Sequence, residues 1–163
     1  VLSVGDDVSR DYPTLMAAVR GMPEDVVVKT KWRPPADQTA GLERVTFRPE
    51  RLDDRTFRGV YTGAKVVVVP LRPITTAGGI NGLFEAMAMG KAVVVSESSL
   101  TRDFVTHGET GLVVPPGDPA ALRAAIDGLC RDPARRAELG RNARRAIEGR
   151  LSSRALAERM AGF

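Results

Sequence analysis

The sequence predicts an α/β protein built on a Rossmann-like, doubly wound parallel sheet of six strands. Segments of strand length alternate with segments of helical periodicity over residues 1–115, as in a parallel sheet covered on both faces. The run Val66–Val69 is apolar at every position, which is typical of a strand inside such a sheet. The expected strand order is 3-2-1-4-5-6, in which ligands bind beyond the carboxyl ends of strands one and four.

Six segments combine apolar content with flanking turn residues, as strands do. They are Val1–Gly5, Val26–Thr30, Val45–Arg48, Lys65–Pro70, Ala92–Ser96 and Gly111–Pro115. Between Lys31 and Glu43, prolines and polar residues predict a loop.

Helices are predicted where apolar residues recur at helical spacing or where an N-cap residue precedes proline. The first helix begins at Asp11 with Pro13. Three more cover Asp53–Tyr61, Asn81–Met89 and Leu100–Thr106. Two begin at Asp118-Pro119 and at Asp132-Pro133, and the last runs from Ser152 to the last residue. We therefore expect one domain over residues 1–163, with a helical segment over 118–163.

Composition describes an ordinary globular chain of 163 residues with a net charge of +4. No apolar run approaches the roughly 20 residues that a membrane helix needs. The lone Cys130 cannot form an internal disulfide, which fits a reducing compartment, and we expect a cytoplasmic protein. Because the chain starts at Val1 inside an apolar segment, we interpret it as a piece of a longer protein.

The segment after the fourth predicted strand carries the clearest functional pattern. Gly78, Gly79 and Gly82 leave backbone N–H groups uncovered where a helix begins, and such a helix end attracts phosphate. Glu85 lies one turn further on and is able to face the same crevice, where a carboxylate accepts hydroxyl groups. Arg10, in the loop after strand one, has a guanidinium that matches phosphate geometry.

Each of these residues also has a structural interpretation. The glycines suit a turn that needs positive φ, Glu85 suits the solvent face of an amphipathic helix, and Arg10 alone suits a solvated surface charge. His107 lies in a turn and is expected to be structural. With one histidine and scattered carboxylates, the sequence predicts no metal site.

The C-terminal tail, Arg131–Arg159, holds nine arginines against four acidic residues. Such an excess usually marks a solvated helix face, and the alternative is a peripheral contact with a membrane surface. Aromatic residues do not interleave with the arginines, which argues against a nucleic-acid partner.

Three segments resemble a known family: VVVVPLRP…AGGINGLFEAMAMGKAVVVS, HGETGLVVPPGDPAALRAAI and DPARRAELGRNARRAI. Over nearly its whole length the chain is similar to the C-terminal, donor-binding half of the GT-B retaining glycosyltransferases of family four, called glycosyl transferases group 1. The resemblance implies a nucleoside-diphosphate sugar as co-substrate, no metal or other cofactor, and a missing N-terminal domain that binds the acceptor.

The resemblance also assigns roles to residues. Glu85 matches the acid that holds the ribose hydroxyls, and Arg10 matches one of two basic residues that bind the diphosphate. The loop that meets donor sugar and phosphates corresponds to Gly78, Gly79, Ile80, Asn81 and Gly82.

Two positions depart from the family pattern. Ala77 stands where the family has a first acid that contacts the donor sugar, and Asp6 stands where it has the first basic residue. Thr75 and Thr76 are the nearest side chains able to replace the lost hydrogen bonds to the sugar.

Two functions follow as hypotheses. The first is the donor-binding domain of a metal-independent glycosyltransferase that moves a hexosyl group to an unknown acceptor, with the catalytic residues unidentified and this piece inactive alone. The alternative is a nucleotide- or nucleotide-sugar-binding domain that has lost turnover.

Overall fold

The computed structural model of the chain describes residues 1–73 and 79–151. Within them lies one sheet of six strands in the order β3-β2-β1-β4-β5-β6, which confirms the predicted order. The strands are β1 (Leu2–Val4), β2 (Val26–Lys29), β3 (Val45–Phe47), β4 (Val66–Val69), β5 (Ala92–Ser96) and β6 (Leu112–Val114).

Every pair of neighbouring strands in this sheet is parallel. The two halves of the sheet join at its centre, where Leu2 of β1 lies beside Val67 of β4. The order in which the chain adds strands to the sheet reverses at this point. The loops that follow β1 and β4 therefore leave in opposite directions and open a crevice between them.

Helices connect and cover the strands, and their bounds lie close to those predicted. They are α1 (Tyr12–Val19), α2 (Asp54–Gly63), α3 (Ile80–Ala88), α4 (Ser99–Phe104), α5 (Pro119–Arg131) and α6 (Pro133–Leu151). The predicted loop between Lys31 and Glu43 contains a single 3-10 turn at Ala36–Gln38. The helix predicted from Ser152 onward lies outside the described residues.

The helix starts predicted from aspartate and proline are confirmed. The carboxylate of Asp11 accepts a hydrogen bond from the Thr14 backbone N–H, and that of Asp118 accepts one from Ala121. Asp132 accepts one from the backbone of Arg135 in the same way. Each carboxylate satisfies an amide that the first helical turn leaves without a partner.

The core consists of two apolar layers, one on each face of the sheet. In β4, Val66 and Val68 face the layer under α1 and α5, and Val67 and Val69 face the layer under α2, α3 and α6. All four valines are at most 1% exposed. The unbroken apolar run thus reflects a strand that is buried on both faces.

Candidate ligand-binding crevice

A cavity of about 450 Å³ lies beyond the carboxyl ends of β1 and β4. It is lined by Val4, Gly5, Asp6, Asp7, Arg10, Phe57, Gly79, Ile80, Asn81, Gly82 and Glu85. The structure thus brings six of the predicted site residues to one place, at the predicted reversal of the sheet. Thr75, Thr76, Ala77 and Gly78 lie outside the described residues.

The two loops that flank this crevice are joined directly by their backbones. The N–H of Asp11 donates to the Pro70 carbonyl at 3.0 Å, and the N–H of Arg72 donates to the Ser9 carbonyl at 2.8 Å. Together they form a short antiparallel bridge between Arg10 and Leu71. The bridge fixes where the Arg10 side chain enters the crevice.

Arg10 is buried, with 4% of its surface exposed. The interpretation of Arg10 as a solvated surface charge is therefore wrong. Its guanidinium lies in a slot formed by Gly5, Gly79 and Gly82, because a Cβ atom at Gly82 would lie 2.9 Å from Arg10 Nη2 and one at Gly5 would lie 2.8 Å from Arg10 Cζ. Glycines from two separate segments, the loop after β1 and the start of α3, make room for one long side chain.

The charge of Arg10 is only partly balanced by its surroundings. The Arg10 Nε atom lies 3.5 Å from a carboxylate oxygen of Asp7, a residue that also accepts a hydrogen bond from the Ser9 backbone at 3.0 Å. Neither Nε nor Nη1 of Arg10 finds a hydrogen-bond acceptor among the described residues. Buried N–H groups of a cation without an acceptor are costly, so the slot is suited to an anion.

The N-terminus of α3 forms the wall opposite β1. Gly79 caps this helix with φ of +82°, in the left-handed region where glycine is favoured. Among the described residues, no side chain caps the first amides of this helix, so the backbone N–H groups at Ile80, Asn81 and Gly82 are candidates to bind a ligand. The helix dipole adds partial positive charge at the same point.

Glu85 lies on the next turn of α3 and lines the crevice. It is half-buried rather than fully solvent-facing, and one of its carboxylate oxygens, Oε2, accepts a hydrogen bond from the Tyr61 hydroxyl at 2.7 Å. Tyr61 belongs to α2 and is 0% exposed. Burial, with the bond to Glu85, raises the pKa of Tyr61 far above its usual value, so the phenol stays protonated.

Asp6 has a structural role at the edge of the crevice. Its Oδ1 accepts hydrogen bonds from the Lys31 backbone N–H at 2.5 Å and the Thr30 hydroxyl at 3.0 Å. Burial opposes ionisation of this carboxyl, but the two hydrogen bonds together with the charges of Lys29 and Lys31 outweigh that effect and lower its pKa. Asp6 thus ties the loop after β1 to the end of β2 and places a negative charge at the crevice edge.

The other sequence predictions concern residues away from the crevice. Val113 N–H donates to His107 Nδ1 at 3.0 Å, which confirms a structural role for this histidine. Among the described residues, no group of three or more potential metal ligands comes together. Nor does any helix of the described part reach the length and apolar character that crossing a bilayer requires.

Several tail arginines bind within the protein. Arg136 donates to the carbonyls of Leu129 and Cys130 at 2.6 and 2.8 Å, where the last carbonyls of α5 lack helical partners. Arg135 pairs with Glu138, and Arg144 pairs with Glu148, each at 2.7 Å. Part of the basic excess in the tail is therefore explained by contacts inside the domain.

The sequence analysis gave no role to Phe57, which lines the crevice, or to Tyr61, which contacts Glu85 there. Phe57 lines the cavity, and its ring meets the ring of Tyr61 edge-on, with centroids 5.3 Å apart. Both belong to α2, whose predicted boundaries included them without any role. Their spacing of one helical turn indicated a shared face, but nothing local in the sequence indicated that this face meets α3.

Comparison with known proteins assigns this chain to a family. The family described as glycosyl transferases group 1 matches residues 15–132. The D-rhamnosyltransferase WbpZ of Pseudomonas aeruginosa is 32% identical over 134 residues, which cover 82% of this chain and 33% of that protein. The lipopolysaccharide core biosynthesis mannosyltransferase LpcC of Rhizobium leguminosarum is 34% identical over 114 residues, which cover 69% of this chain and 31% of that protein. The chain thus spans about a third of the length of these relatives.

Solved structures share the fold. Sucrose-phosphate synthase of Thermosynechococcus elongatus superposes with a TM-score of 0.77 and 29% identity, over 99% of this chain and 44% of that one. HepE of Anabaena, in complex with UDP and glucose, gives a TM-score of 0.78 at 21% identity, over 99% and 48%. The C-terminal domain of a group 1 protein, LpcC of Francisella tularensis, gives a TM-score of 0.73 at 18% identity, over 90% of this chain and 83% of that one. The chain therefore belongs to the glycosyl transferases group 1 family and has the fold of its C-terminal GT-B domain.

Proposed function

We propose that this chain is the donor-binding domain of a glycosyltransferase and binds a nucleoside-diphosphate sugar in the crevice between β1 and β4. The observation that best supports the proposal is Arg10, a buried cation whose Nε and Nη1 atoms lack acceptors among the described residues. The named activities of the relatives point the same way, since WbpZ and LpcC transfer rhamnose and mannose. HepE, which shares the fold, was solved with UDP-glucose.

In this proposal the diphosphate lies between Arg10 and the N-terminus of α3. The guanidinium and the amides of the segment Gly78–Gly82 donate hydrogen bonds to its oxygens, and Glu85 accepts those of the ribose hydroxyls. Thr75 and Thr76 are proposed to hydrogen-bond the sugar, because Ala77 offers only its backbone.

The same groups suit the reaction. When the bond between the anomeric carbon of the sugar and the diphosphate breaks, negative charge accumulates on the departing diphosphate. Arg10 and the α3 amides are fixed before the reaction, so they stabilise this charge without rearranging. We propose that they do so without a metal ion and that the whole protein transfers a hexosyl group.

The acceptor site belongs, in this proposal, to an N-terminal domain that the chain does not contain, and the chain alone is expected to be inactive in transfer. A cytoplasmic location and a peripheral contact between the tail, Arg131–Arg159, and an anionic membrane surface remain part of the proposal. The exposed side chains of Arg131 and Arg141 support the membrane contact.

A second candidate is a domain that binds nucleotides without turnover. Asp6 favours it, because the hydrogen bonds from Thr30 and Lys31 keep an ionised carboxylate at the crevice edge, where it does not stabilise the negative charge that a departing diphosphate accumulates. An assay of sugar transfer by the full-length protein separates the candidates. Turnover supports the glycosyltransferase, and tight binding of nucleotide without turnover supports the second candidate.

The binding proposal is tested by calorimetry of this chain with UDP, GDP and ADP. The Glu85→Ala change should weaken the best of these by about 1–3 kcal/mol, because hydrogen bonds from the ribose to a carboxylate are lost. The matched control is Glu138→Ala, which removes an exposed glutamate of α6 that pairs with Arg135. Equal affinities for both variants would contradict the role of Glu85.

A further inference from the structure

The carboxylate of Glu85 is held by a residue from another helix. Tyr61 of α2 donates its hydroxyl hydrogen to Glu85 Oε2 at 2.7 Å, across 24 residues of sequence. The tyrosine is fully buried, and Phe57 packs edge-on against its ring. The donor therefore has little freedom to follow any movement of the carboxylate, and instead it restrains that movement.

The direction of this hydrogen bond is fixed. The pKa of Tyr61 is raised first by burial and then by the bond to Glu85, so its oxygen carries a hydrogen throughout the usual pH range. Glu85 must accordingly accept through Oε2. Among the described residues, no hydrogen bond reaches the other oxygen, Oε1. The carboxylate thus has one oxygen occupied by the protein and one left for the crevice.

We propose that Tyr61 is a positioning residue: by holding Oε2 of Glu85, it presents Oε1 to the vicinal diol of the ribose and sets how strongly the crevice prefers ribonucleotides over nucleotides that lack the 2′ and 3′ hydroxyls. The inference rests on the proposed function, since it specifies how the same crevice recognises its ligand. A tyrosine with a packing role alone would affect all ligands of the crevice equally.

The experiment compares two ligands for each variant by calorimetry. They are the nucleoside diphosphate that binds this chain best among UDP, GDP and ADP, and the 2′,3′-dideoxy form of the same nucleotide. The ratio of their two dissociation constants measures diol recognition. We expect the Tyr61→Phe change to lower this ratio about 3- to 10-fold, as the loss of one hydrogen bond to the carboxylate implies. The affinity for the dideoxy form should stay within about twofold, since that ligand does not use the carboxylate.

A second variant tests orientation. In Glu85→Gln, the Tyr61 hydroxyl should hold the amide oxygen and turn the NH₂ group toward the crevice, where it is unable to accept from a hydroxyl. The ratio should then fall as far as in Glu85→Ala. Adding Tyr61→Phe to Glu85→Gln releases the amide, so we expect this double variant to regain part of the ratio.

The matched control is Tyr12→Phe. Tyr12 is also buried, and its hydroxyl donates to the Gly5 carbonyl at 2.5 Å without contact to Glu85, so the ratio should stay unchanged. An unchanged ratio in Tyr61→Phe, or equal losses for both ligands, overturns the inference and leaves the proposed function standing. If Tyr61→Phe does not fold, the Glu85→Gln variant decides. An unchanged ratio of the two dissociation constants in that variant overturns the inference, and a lowered ratio supports it. If the unaltered chain binds no nucleotide, both proposals fail.

Discussion

Gly82 is where the packing of the crevice is most open to a direct test. A Cβ atom at this position would lie 2.9 Å from Arg10 Nη2 and 3.2 Å from the Val4 carbonyl oxygen. The carbonyl belongs to β1 at the centre of the sheet and has little room to shift. In the Gly82→Ala variant the guanidinium must therefore shift away from position 82.

Two opposing effects set the expected stability. Alanine is favoured over glycine inside a helix by about 1 kcal/mol. Overpacking a filled site costs about 1–3 kcal/mol. We expect Gly82→Ala to change the free energy of unfolding by between roughly zero and a loss of 2 kcal/mol. Diphosphate binding should suffer more, by about 1.5–3 kcal/mol, because hydrogen bonds to a charged group are lost.

The assay combines urea denaturation with calorimetry of the nucleoside diphosphate and of the nucleoside without phosphates. Only the diphosphate should lose affinity, by roughly 10- to 150-fold. Gly128→Ala is the matched control, because Gly128 lies in α5 and a Cβ atom there would meet nothing within 4 Å. That variant should gain stability and keep its affinity. If Gly82→Ala behaves like Gly128→Ala in both assays, Arg10 does not depend on the glycine slot.

Two further changes probe the fold around the site. A Cβ atom at Gly140 of α6 would collide with the Gly90 backbone carbonyl. Gly140→Ala should therefore lower the free energy of unfolding, measured by urea denaturation, by about 1–3 kcal/mol. The control Gly149→Ala, where a Cβ atom on the same helix meets nothing within 4 Å, should not lower it. The lowered pKa of Asp6 means that its stabilising contribution is present above its ordinary pKa and is lost as the pH falls through the folded-state value. Thermal unfolding at stepped pH should therefore give a shallower acid-side fall for Asp6→Asn, and an unchanged slope would show that Asp6 adds nothing.

The sheet could be predicted because its signals are local. The valine run of β4 is apolar at every position, and the predicted order of strands follows from a topology with few alternatives. Helix starts at Asp118 and Asp132 could be predicted for the same reason, since a cap bonds an amide three residues away. Each signal needs only a short window of sequence.

The crevice could be located but not described from the sequence. The burial of Arg10 was not predicted, because it depends on glycines from two separate segments, the loop after β1 and the start of α3, that meet only after folding. The partner of Glu85 was missed for a similar reason, because Tyr61 belongs to another helix. Asp6 was noted as a missing positive charge, but its hydrogen bonds to Thr30 and Lys31 require β1 and β2 to be paired. Contacts of this kind leave no periodic pattern in the sequence.

The backbone bridge between the two crevice loops links site assembly to the folding of the whole domain. Between Ser9 and Arg72 the chain forms α1, β2, β3, α2 and β4, so closing this contact carries the entropy cost of a long loop. The contacts formed when β1 docks beside β4 offset this entropy cost. In a partly folded chain the glycine slot around Arg10 is therefore absent. Ligand affinity consequently reports the native topology rather than the helix content. Once formed, the bridge lets a ligand bind without ordering Ser9–Asp11 or Pro70–Arg72, so the entropy loss of these residues belongs to folding and not to recognition.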